Sequence, residues 1–241
     1  MKQLISIITV VFNAEKTLET AIKSVLSQEK DFFEYWIIDG GSTDGSIQII
    51  QKYSDQLAGW ISEPDRGIYD AMNKGIDRIN GQWLYFLGGD DQLNPEILTK
   101  VVPHLDPDLA AVYGDIIYDT GHIMHSWVGY GTIIQNTLHH QATFYNRNLF
   151  ENFRYNVSYR VISDYELNLQ IFLKKLPTLF IPHIIATCGS TGTSSVLSTV
   201  EVNDLRGKYV KNRVVNYSIN SLLEAYYLYI KMKRALKAYL K

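Results

Sequence analysis

The sequence predicts an α/β protein whose mostly parallel sheet is flanked by helices on both faces. Apolar runs and amphipathic helical patterns alternate along the first half of the 241-residue chain. The runs are continuously apolar, as in parallel strands buried on both faces. The length suits one large domain, and 46% hydrophobic residues are enough to fill its core.

Four apolar runs and three amphipathic patterns make up the first half. The strands are predicted at 4–12, 35–38, 60–61 and 83–87, and the helices over 18–26, 47–53 and 68–79. The first run is rich in β-branched residues and leads into Asn13 without a cleavage site, which favours a strand over a signal peptide. Asn13 is also the predicted N-cap of the first helix.

The second half has a mixed pattern. Strands at 112–118 and 123–127 are predicted to form a hairpin, and a further strand covers 179–186. A helix begins near Ser163, and the pattern is helical from 198 onward. This half is expected to dock against the first sheet.

Charge and cysteine content exclude several functional classes. A net charge of −2 gives no general electrostatic reason to bind nucleic acid. The single cysteine, Cys188, excludes an internal disulfide framework and fits a reducing compartment. No apolar run approaches the roughly 18–20 residues that span a bilayer. These features predict a cytoplasmic protein that does not bind nucleic acid.

Polar or glycine-containing segments follow three of the predicted strands. They are Phe12-Asn13, Asp39-Gly40-Gly41 and Gly88-Gly89-Asp90-Asp91. Because ligands bind beyond the carboxyl ends of the strands in open α/β sheets, one shared crevice is expected there. The usual nucleotide motifs are absent: there is no P-loop pattern, and Gly129-Tyr130-Gly131 fails the dinucleotide fingerprint at Ile134.

Asp90 and Asp91 place two carboxylates at the end of the fourth strand. Such groups repel each other unless a cation or hydrogen-bond donors compensate. A divalent ion that completes its shell with phosphate oxygens would do so, which predicts a metal–diphosphate site. The sequence Asp-Asp-Gln-Leu-Asn-Pro is also typical of a turn, and spacing alone favours the turn.

Four ordered segments carry a resemblance to a known family. They read SIITVVFN from Ser6, IDGGSTDG from Ile38, EPDRGIYDAMNKG from Glu63 and LGGDD from Leu87. Together they resemble glycosyltransferase family 2, the inverting GT-A enzymes that use nucleotide-diphosphate sugars. Further matches are Tyr113-Gly114-Asp115, His140-Gln141 and Ser163-Asp164-Tyr165-Glu166-Leu167.

The resemblance implies a GT-A fold with a Rossmann-like sheet, divided into three parts. Residues 1–104 would bind the nucleotide sugar, 105–197 would bind the acceptor and complete the catalytic site, and 198–241 would form a C-terminal helical extension.

The resemblance also implies roles on the donor side. Asp39 matches the carboxylate that reads the nucleotide base, usually uracil, while Gly40 replaces the second Asp often found beside it. Asp91 matches the ligand of a Mn²⁺ or Mg²⁺ ion, and Asp90 a contact to the ribose or donor sugar. The other predicted donor-binding residues are Asn13, Arg66, Asp70 and Asn73.

Two features near the predicted donor site each allow two interpretations. His140 is predicted in the active site, either as a second metal ligand or as a structural hydrogen-bonding group. The segment 189–195 resembles a loop over a diphosphate and equally a plain surface loop.

Asp164 matches the family's catalytic base. An inverting transfer needs a carboxylate that removes the acceptor hydroxyl proton as the hydroxyl attacks the anomeric carbon. The metal then stabilises the departing nucleotide diphosphate. Ser163-Asp164-Tyr165-Glu166 also fits a capping box, and the two interpretations are compatible.

The stretch from Tyr217 interleaves apolar and aromatic residues with Lys and Arg. Such a helix either lies in an anionic membrane interface or packs on the domain with a solvated basic end. The resemblance favours membrane contact, because bacterial members often glycosylate polyprenyl-linked acceptors.

These expectations combine into one function and one alternative. A hexose or aminohexose would move from a nucleotide sugar, UDP-linked, to a glycan or polyprenyl-linked acceptor in cell-surface polysaccharide or O-antigen assembly. The protein would be cytoplasmic or peripheral on the inner face of the plasma membrane. The alternative is a non-catalytic nucleotide-sugar or glycan-binding protein on the same fold, to which Gly40 and Gly89 point.

Tyrosine is unusually frequent, with 17 residues against nine phenylalanines. Its apolar face and polar tip suit sugar rings and membrane interfaces. The tyrosines of the second half and of the tail are therefore expected to be more exposed than those of the donor half.

Overall fold

The computed structural model describes residues 4–190 and 199–239. Within these ranges the strands are β1 Ile5–Val11, β2 Phe33–Asp39, β3 Gly59–Ser62, β4 Trp83–Gly88, β5 Gln92–Leu93, β6 Ala111–Tyr118, β7 Ile123–Met124, β8 Thr143–Asn146 and β9 Thr178–Cys188. The α-helices are α1 Leu18–Leu26, α2 Ser46–Tyr53, α3 Ile68–Ile76, α4 Ile97–Val101, α5 Ser163–Leu173, α6 Thr199–Tyr209 and α7 Arg213–Tyr239. The predicted strands and helices are confirmed in position, except that the strand predicted at 123–127 ends at Met124; β5, α4 and β8 were not predicted.

One sheet runs through both halves in the order β3-β2-β1-β4-β8-β6-β9-β5, with β7 beside β6. The first four strands pair in parallel and form the Rossmann-like part. β8 lies antiparallel to β4 and β6, while β6 and β9 are parallel. The mixed second half therefore extends the first sheet, and the division at 104/105 and 197/198 stays a prediction.

Helices cover both faces of the sheet, as the continuous apolar strands predict. On β1, Ile7 belongs to the core shared with α1, α2 and α4, whereas the next residue, Ile8, belongs to the core shared with α3 and α5. Successive residues of a strand point to opposite faces, so both must be apolar when both faces are buried.

Two predicted helix caps are wrong. α1 begins after Thr17, and Asn13 lies upstream with a left-handed φ of 49°. Its side chain instead accepts a hydrogen bond from the Thr43 backbone N–H at 2.9 Å. The capping box is not formed either, because Ser163 is already helical and accepts from the Asn156 backbone N–H at 2.7 Å.

The tyrosine prediction is half wrong. In the second half Tyr130 is 85% exposed, but most tyrosines are buried, on β6, β8 and α5 and in the segment before α5. The buried ones are Tyr113, Tyr145, Tyr155, Tyr159 and Tyr165. In the tail Tyr217 and Tyr229 are exposed as predicted, whereas Tyr209 is half-buried.

α7 presents an uncovered apolar face. The exposed apolar side chains share one side of the helix at its 3.6-residue period. They are Val214, Tyr217, Leu222, Leu228, Tyr229 and Met232. Leu223, on the opposite side, is buried. Among the helices in the described part of the chain, none combines the length and the hydrophobicity that a membrane span requires.

Candidate active site

The carboxyl ends of β1, β2 and β4 lie side by side. Val11 is in register with Asp39, and Val10 with Gly88. The segments that follow therefore meet at one edge of the sheet. The Ser42 hydroxyl accepts from the Asn13 backbone N–H at 2.8 Å, and the Gly89 backbone N–H donates to the Val10 carbonyl at 3.1 Å.

Asp39 is completely buried beneath the loop that follows β2. Its Oδ2 accepts from the backbone N–H groups of Gly41 and Ser42 at 3.1 and 3.0 Å, and from the Ser62 hydroxyl at 2.6 Å. The Ser42 hydroxyl donates to Oδ1. The carboxylate predicted to read the base thus also holds the shape of this loop.

Asp65 fills the space beside Gly40. A Cβ added to Gly40 would lie 2.8 Å from the Asp65 Cγ, so a side chain there would displace this carboxyl group. The Asp65 Oδ1 accepts from the Gly67 backbone N–H at 2.8 Å. Burial raises the pKa of Asp65, and the nearby charges of Asp70 and Asp39 add to the rise. Asp65 carries no predicted role, although it stands in the motif that begins at Glu63 and Gly40 departs from the family pattern.

The predicted donor residues around α3 fall into two kinds. Arg66 is exposed, and its guanidinium contacts Asp70 at 3.0 Å at the rim of the crevice, which lowers the pKa of Asp70. Asn73 points into the protein, where its amide donates to the Tyr155 carbonyl at 2.8 Å and accepts from the Tyr155 N–H at 2.9 Å. Arg66 and Asp70 thus pair with each other, whereas Asn73 positions the chain around Tyr155, and the donor-binding role of all three stays a prediction.

Asp90 and Asp91 have contrasting surroundings. Asp91 is buried, and its carboxylate accepts from the Gly88 N–H at 3.3 Å, the Gln141 amide at 3.2 Å and the Gly189 N–H at 3.2 Å. Asp90 is exposed to the crevice. Partial desolvation of its carboxyl group and the charge of Asp91 raise the pKa of Asp90. The segment 191–195 of the predicted loop lies outside the described residues.

Asp164 lies at the start of α5, 5% exposed, and three side chains surround its carboxylate. The Tyr69 hydroxyl donates to Oδ1 at 3.0 Å, and the Asn136 amide donates to Oδ2 at 2.9 Å. The His140 Nδ1 lies 3.4 Å from Oδ2. Burial alone would raise the pKa of Asp164, but the hydrogen bonds and charge of its neighbours outweigh it and lower the pKa. The sequence offered no signal for Asn136, and Tyr69 stood unremarked in a quoted motif.

The adjacent residues His140 and Gln141 connect the two carboxylate centres. The His140 Nδ1 lies 3.4 Å from the Asp164 Oδ2, and the Gln141 amide donates to the Asp91 Oδ2 at 3.2 Å. Over residues 4–190 and 199–239, no three His, Cys, Asp or Glu side chains converge as metal ligands. A cation here would need ligands from a bound molecule in addition to Asp90, Asp91 or His140.

A protein-family model matches most of the chain that forms this site. The family model described as "Glycosyl transferase family 2" matches residues 6–168, which include the carboxyl ends of β1, β2 and β4 and Asp164. The chain belongs to glycosyltransferase family 2. It is also 33% identical to the PGL/p-HBAD biosynthesis glycosyltransferase of Mycobacterium tuberculosis over 201 residues, which cover 78% of this chain and 77% of the relative.

Solved structures confirm the GT-A fold of this transferase. TarS 1–349 of S. aureus in complex with UDP-GlcNAc superposes with a TM-score of 0.70 at 16% identity, covering 84% of this chain and 64% of that one. The mannosyltransferase PcManGT from Pyrobaculum calidifontis in complex with GDP-Man and Mn²⁺ gives 0.58 at 15% identity, covering 78% and 57%. The chain spans less than two thirds of either structure.

Proposed function

We propose that this family 2 enzyme is an inverting glycosyltransferase that moves a hexose or aminohexose from a UDP-sugar to a glycan acceptor. The observation that carries the proposal is the buried, hydrogen-bonded Asp164 carboxylate, linked through the adjacent residues His140 and Gln141 to Asp91 of the carboxylate pair. This arrangement would provide a base next to a place for the departing diphosphate.

Asp164 would act on the acceptor hydroxyl. As the hydroxyl oxygen attacks the anomeric carbon, its proton moves to Asp164 and the bond from that carbon to the diphosphate oxygen breaks. The electron pair of the broken bond leaves with the nucleotide diphosphate. A lowered pKa keeps Asp164 charged at neutral pH, and Tyr69 and Asn136 hold the carboxylate in one orientation.

Asp39 and Asp65 would form the nucleoside end of the donor site. Asp65 brings its carboxyl group against Gly40, so two acids from separate loops stand where family members often carry adjacent ones. The UDP-GlcNAc complex of TarS supports uridine, and the GDP-Man complex of PcManGT shows that nucleotides differ among proteins of this fold. Arg66, exposed at the rim, would face the diphosphate with Asn13 at the end of β1.

A divalent Mn²⁺ or Mg²⁺ ion fits the carboxylate pair. Asp90 is open to the crevice and repelled by Asp91, whose own hydrogen bonds are long at 3.2–3.3 Å and therefore weak. Asp90 and Asp91 would hold the ion together with diphosphate oxygens, and the Nε2 of His140 could add a ligand. The ion would supply positive charge that stabilises the leaving group.

The acceptor is proposed to be lipid-linked, with the enzyme peripheral on the inner face of the plasma membrane. The apolar face of α7 supports this, because it is uncovered and the helix carries Lys and Arg between its apolar residues. Such helices bind anionic membrane interfaces. The setting would be assembly of a cell-surface polysaccharide such as an O-antigen.

Nucleotide release from a panel of UDP- and GDP-sugars, with Mn²⁺, Mg²⁺ or EDTA, tests the proposal. A membrane extract provides acceptors, and Asp164→Asn is compared with the wild type. We expect metal-dependent release from a UDP-sugar that falls about 10²–10⁴-fold in the variant, since that is the usual contribution of a general base. UDP affinity should stay unchanged. Metal-dependent UDP binding without any release would favour the non-catalytic alternative.

A further inference from the structure

We propose that Trp127 is the platform on which a pyranose ring of the acceptor stacks. The inference rests on the proposed function, because it assigns the acceptor side of the same site. Trp127 lies in the segment 126–140, here called the arch, which joins β7 to the strand β8 and carries Asn136 and His140 to Asp164.

The two glycines of Gly129-Tyr130-Gly131 cradle the indole. A Cβ added to Gly131 would lie 3.1 Å from the Trp127 Nε1 and 3.5 Å from Cζ2, and one added to Gly129 would lie 3.8 Å from Cδ1. The indole therefore rests against glycine backbone. The side chain is nonetheless 45% exposed, so the rest of its surface faces solvent. Gly129-Tyr130-Gly131, which does not fit the dinucleotide fingerprint, instead packs against an exposed tryptophan.

Hydrogen bonds tie the backbone of Trp127 to the part of the arch that contacts Asp164. The Trp127 backbone N–H donates to the Thr137 backbone carbonyl at 3.0 Å, and the Thr137 hydroxyl donates to the Trp127 backbone carbonyl at 2.7 Å. Thr137 directly follows Asn136, whose amide donates to Asp164. The Tyr165 hydroxyl also donates to the Ile133 carbonyl at 2.9 Å, which ties the arch to the residue after Asp164. Trp127 and Asp164 thus share one hydrogen-bonded unit.

Two polar side chains flank the backbone just before Trp127. Asp115 on β6 accepts from the Ser126 backbone N–H at 3.0 Å and contacts the His125 Nδ1 at 2.8 Å. The His125 side chain is 73% exposed. A sugar ring offers an apolar C–H face and a rim of hydroxyl groups, so an exposed indole with an exposed imidazole two residues before it matches its chemistry. These features point to a neutral pyranose as the occupant.

The affinity of the protein for methyl pyranosides tests the stacking of a pyranose on Trp127 directly. It is measured by saturation-transfer NMR with a panel that includes gluco, galacto, manno and N-acetylgluco forms. The proteins are the wild type, Trp127→Ala, Trp127→Phe and Tyr217→Ala, the last an exposed aromatic on α7 as the control. We expect at least one pyranoside to bind the wild type and Tyr217→Ala, with a Kd raised about tenfold or more by Trp127→Ala, a loss typical of an aromatic contact. Trp127→Phe should keep much of the affinity.

Separate UDP titrations distinguish the two proposals. Equal UDP affinity in the wild type and in Trp127→Ala supports an acceptor platform, whereas a loss of UDP affinity in the variant would place Trp127 on the donor side and overturn it. Unchanged pyranoside binding in Trp127→Ala, or no binding of any pyranoside to the wild type, also overturns it. Failure of the wild type to bind UDP would count against the proposed function, while the pyranoside result stands by itself.

Discussion

Tyr69 shows how one residue tunes the chemistry of the site. Tyr69 lies on α3, and its hydroxyl donates to Asp164. The Tyr155 ring packs beside it, with 5.5 Å between the two ring centroids. A donor to the charged form of a carboxyl group lowers its pKa, whereas burial raises it. The balance at Asp164 lies on the side of the lowered pKa because three neighbours act together.

Tyr69→Phe removes one of these donors and should raise the pKa of Asp164. Since the base must be unprotonated, the acid limb of the kcat/KM profile for transfer should move to higher pH when this hydrogen bond is lost. Transfer rates measured across pH in both proteins check this. Coincident acid limbs would show that Asp164 does not titrate in the rate-limiting step.

His139 makes a separate, pH-dependent contribution to stability. Burial lowers its pKa from 6.5 to about 4, so the folded protein keeps it neutral where the unfolded chain takes up a proton. Stability from this residue is therefore present at pH 7 and is lost as pH falls from 6.5 towards 4.

His139→Gln should weaken that dependence. Between pH 7.5 and 5, the free energy of unfolding of the wild type should fall about 2 kcal/mol more than that of the variant. Urea denaturation at the two pH values measures both, and the other titrating groups act equally in each protein. Equal losses would show that His139 is not held neutral by the fold.

At the scale of helices and strands, the uncovered side of α7 bears on two interpretations that the sequence left open, contact with a membrane and packing on the domain. Leu222 and Leu228 are 72% and 60% exposed, although Leu223 between them is buried against the domain. The helix thus packs through one side and leaves an apolar stripe on the other. A stripe of this kind on a helix rich in Lys and Arg is typical of an interfacial membrane helix.

The double variant Leu222→Glu/Leu228→Glu should abolish binding to anionic vesicles. Each change removes apolar surface and adds a charge that anionic lipid repels, so partitioning into phosphatidylglycerol vesicles should fall at least about tenfold. Flotation measures it, with Leu173→Glu, an exposed leucine on α5, as the control. Equal flotation of all three proteins would show that α7 does not contact the membrane.

Element positions could be predicted from the sequence, but their ends and side-chain partners could not. Continuous apolar strands and the faces of α1 and α3 follow from periodicity, which depends on residues near in the chain. The two cap predictions are wrong because the fold brings other donors near these side chains. Asn13 accepts from the Thr43 backbone N–H, and Ser163 accepts from the Asn156 backbone N–H. Asn136, 28 residues from Asp164, left no local signal for the same reason.

At the scale of the whole molecule, one sheet joins the donor and acceptor sides of the site. β4 carries Asp90 and Asp91 beyond its end and pairs with β8, which follows the arch directly. The carboxylate pair follows β4 and Asp164 begins α5, and the adjacent residues Gln141 and His140 contact Asp91 and Asp164 respectively. This geometry supports the proposed direct, single-displacement transfer.

The anomeric configuration of the product tests that central claim most directly. The wild type is incubated with an α-linked UDP-sugar and its acceptor, and the new linkage is identified from the anomeric proton coupling in the NMR spectrum. Displacement assisted by Asp164 as base predicts inversion, and therefore a β-linked product. An α-linked product would contradict the account, because retention requires chemistry in which Asp164 is not simply the base for one attacking hydroxyl.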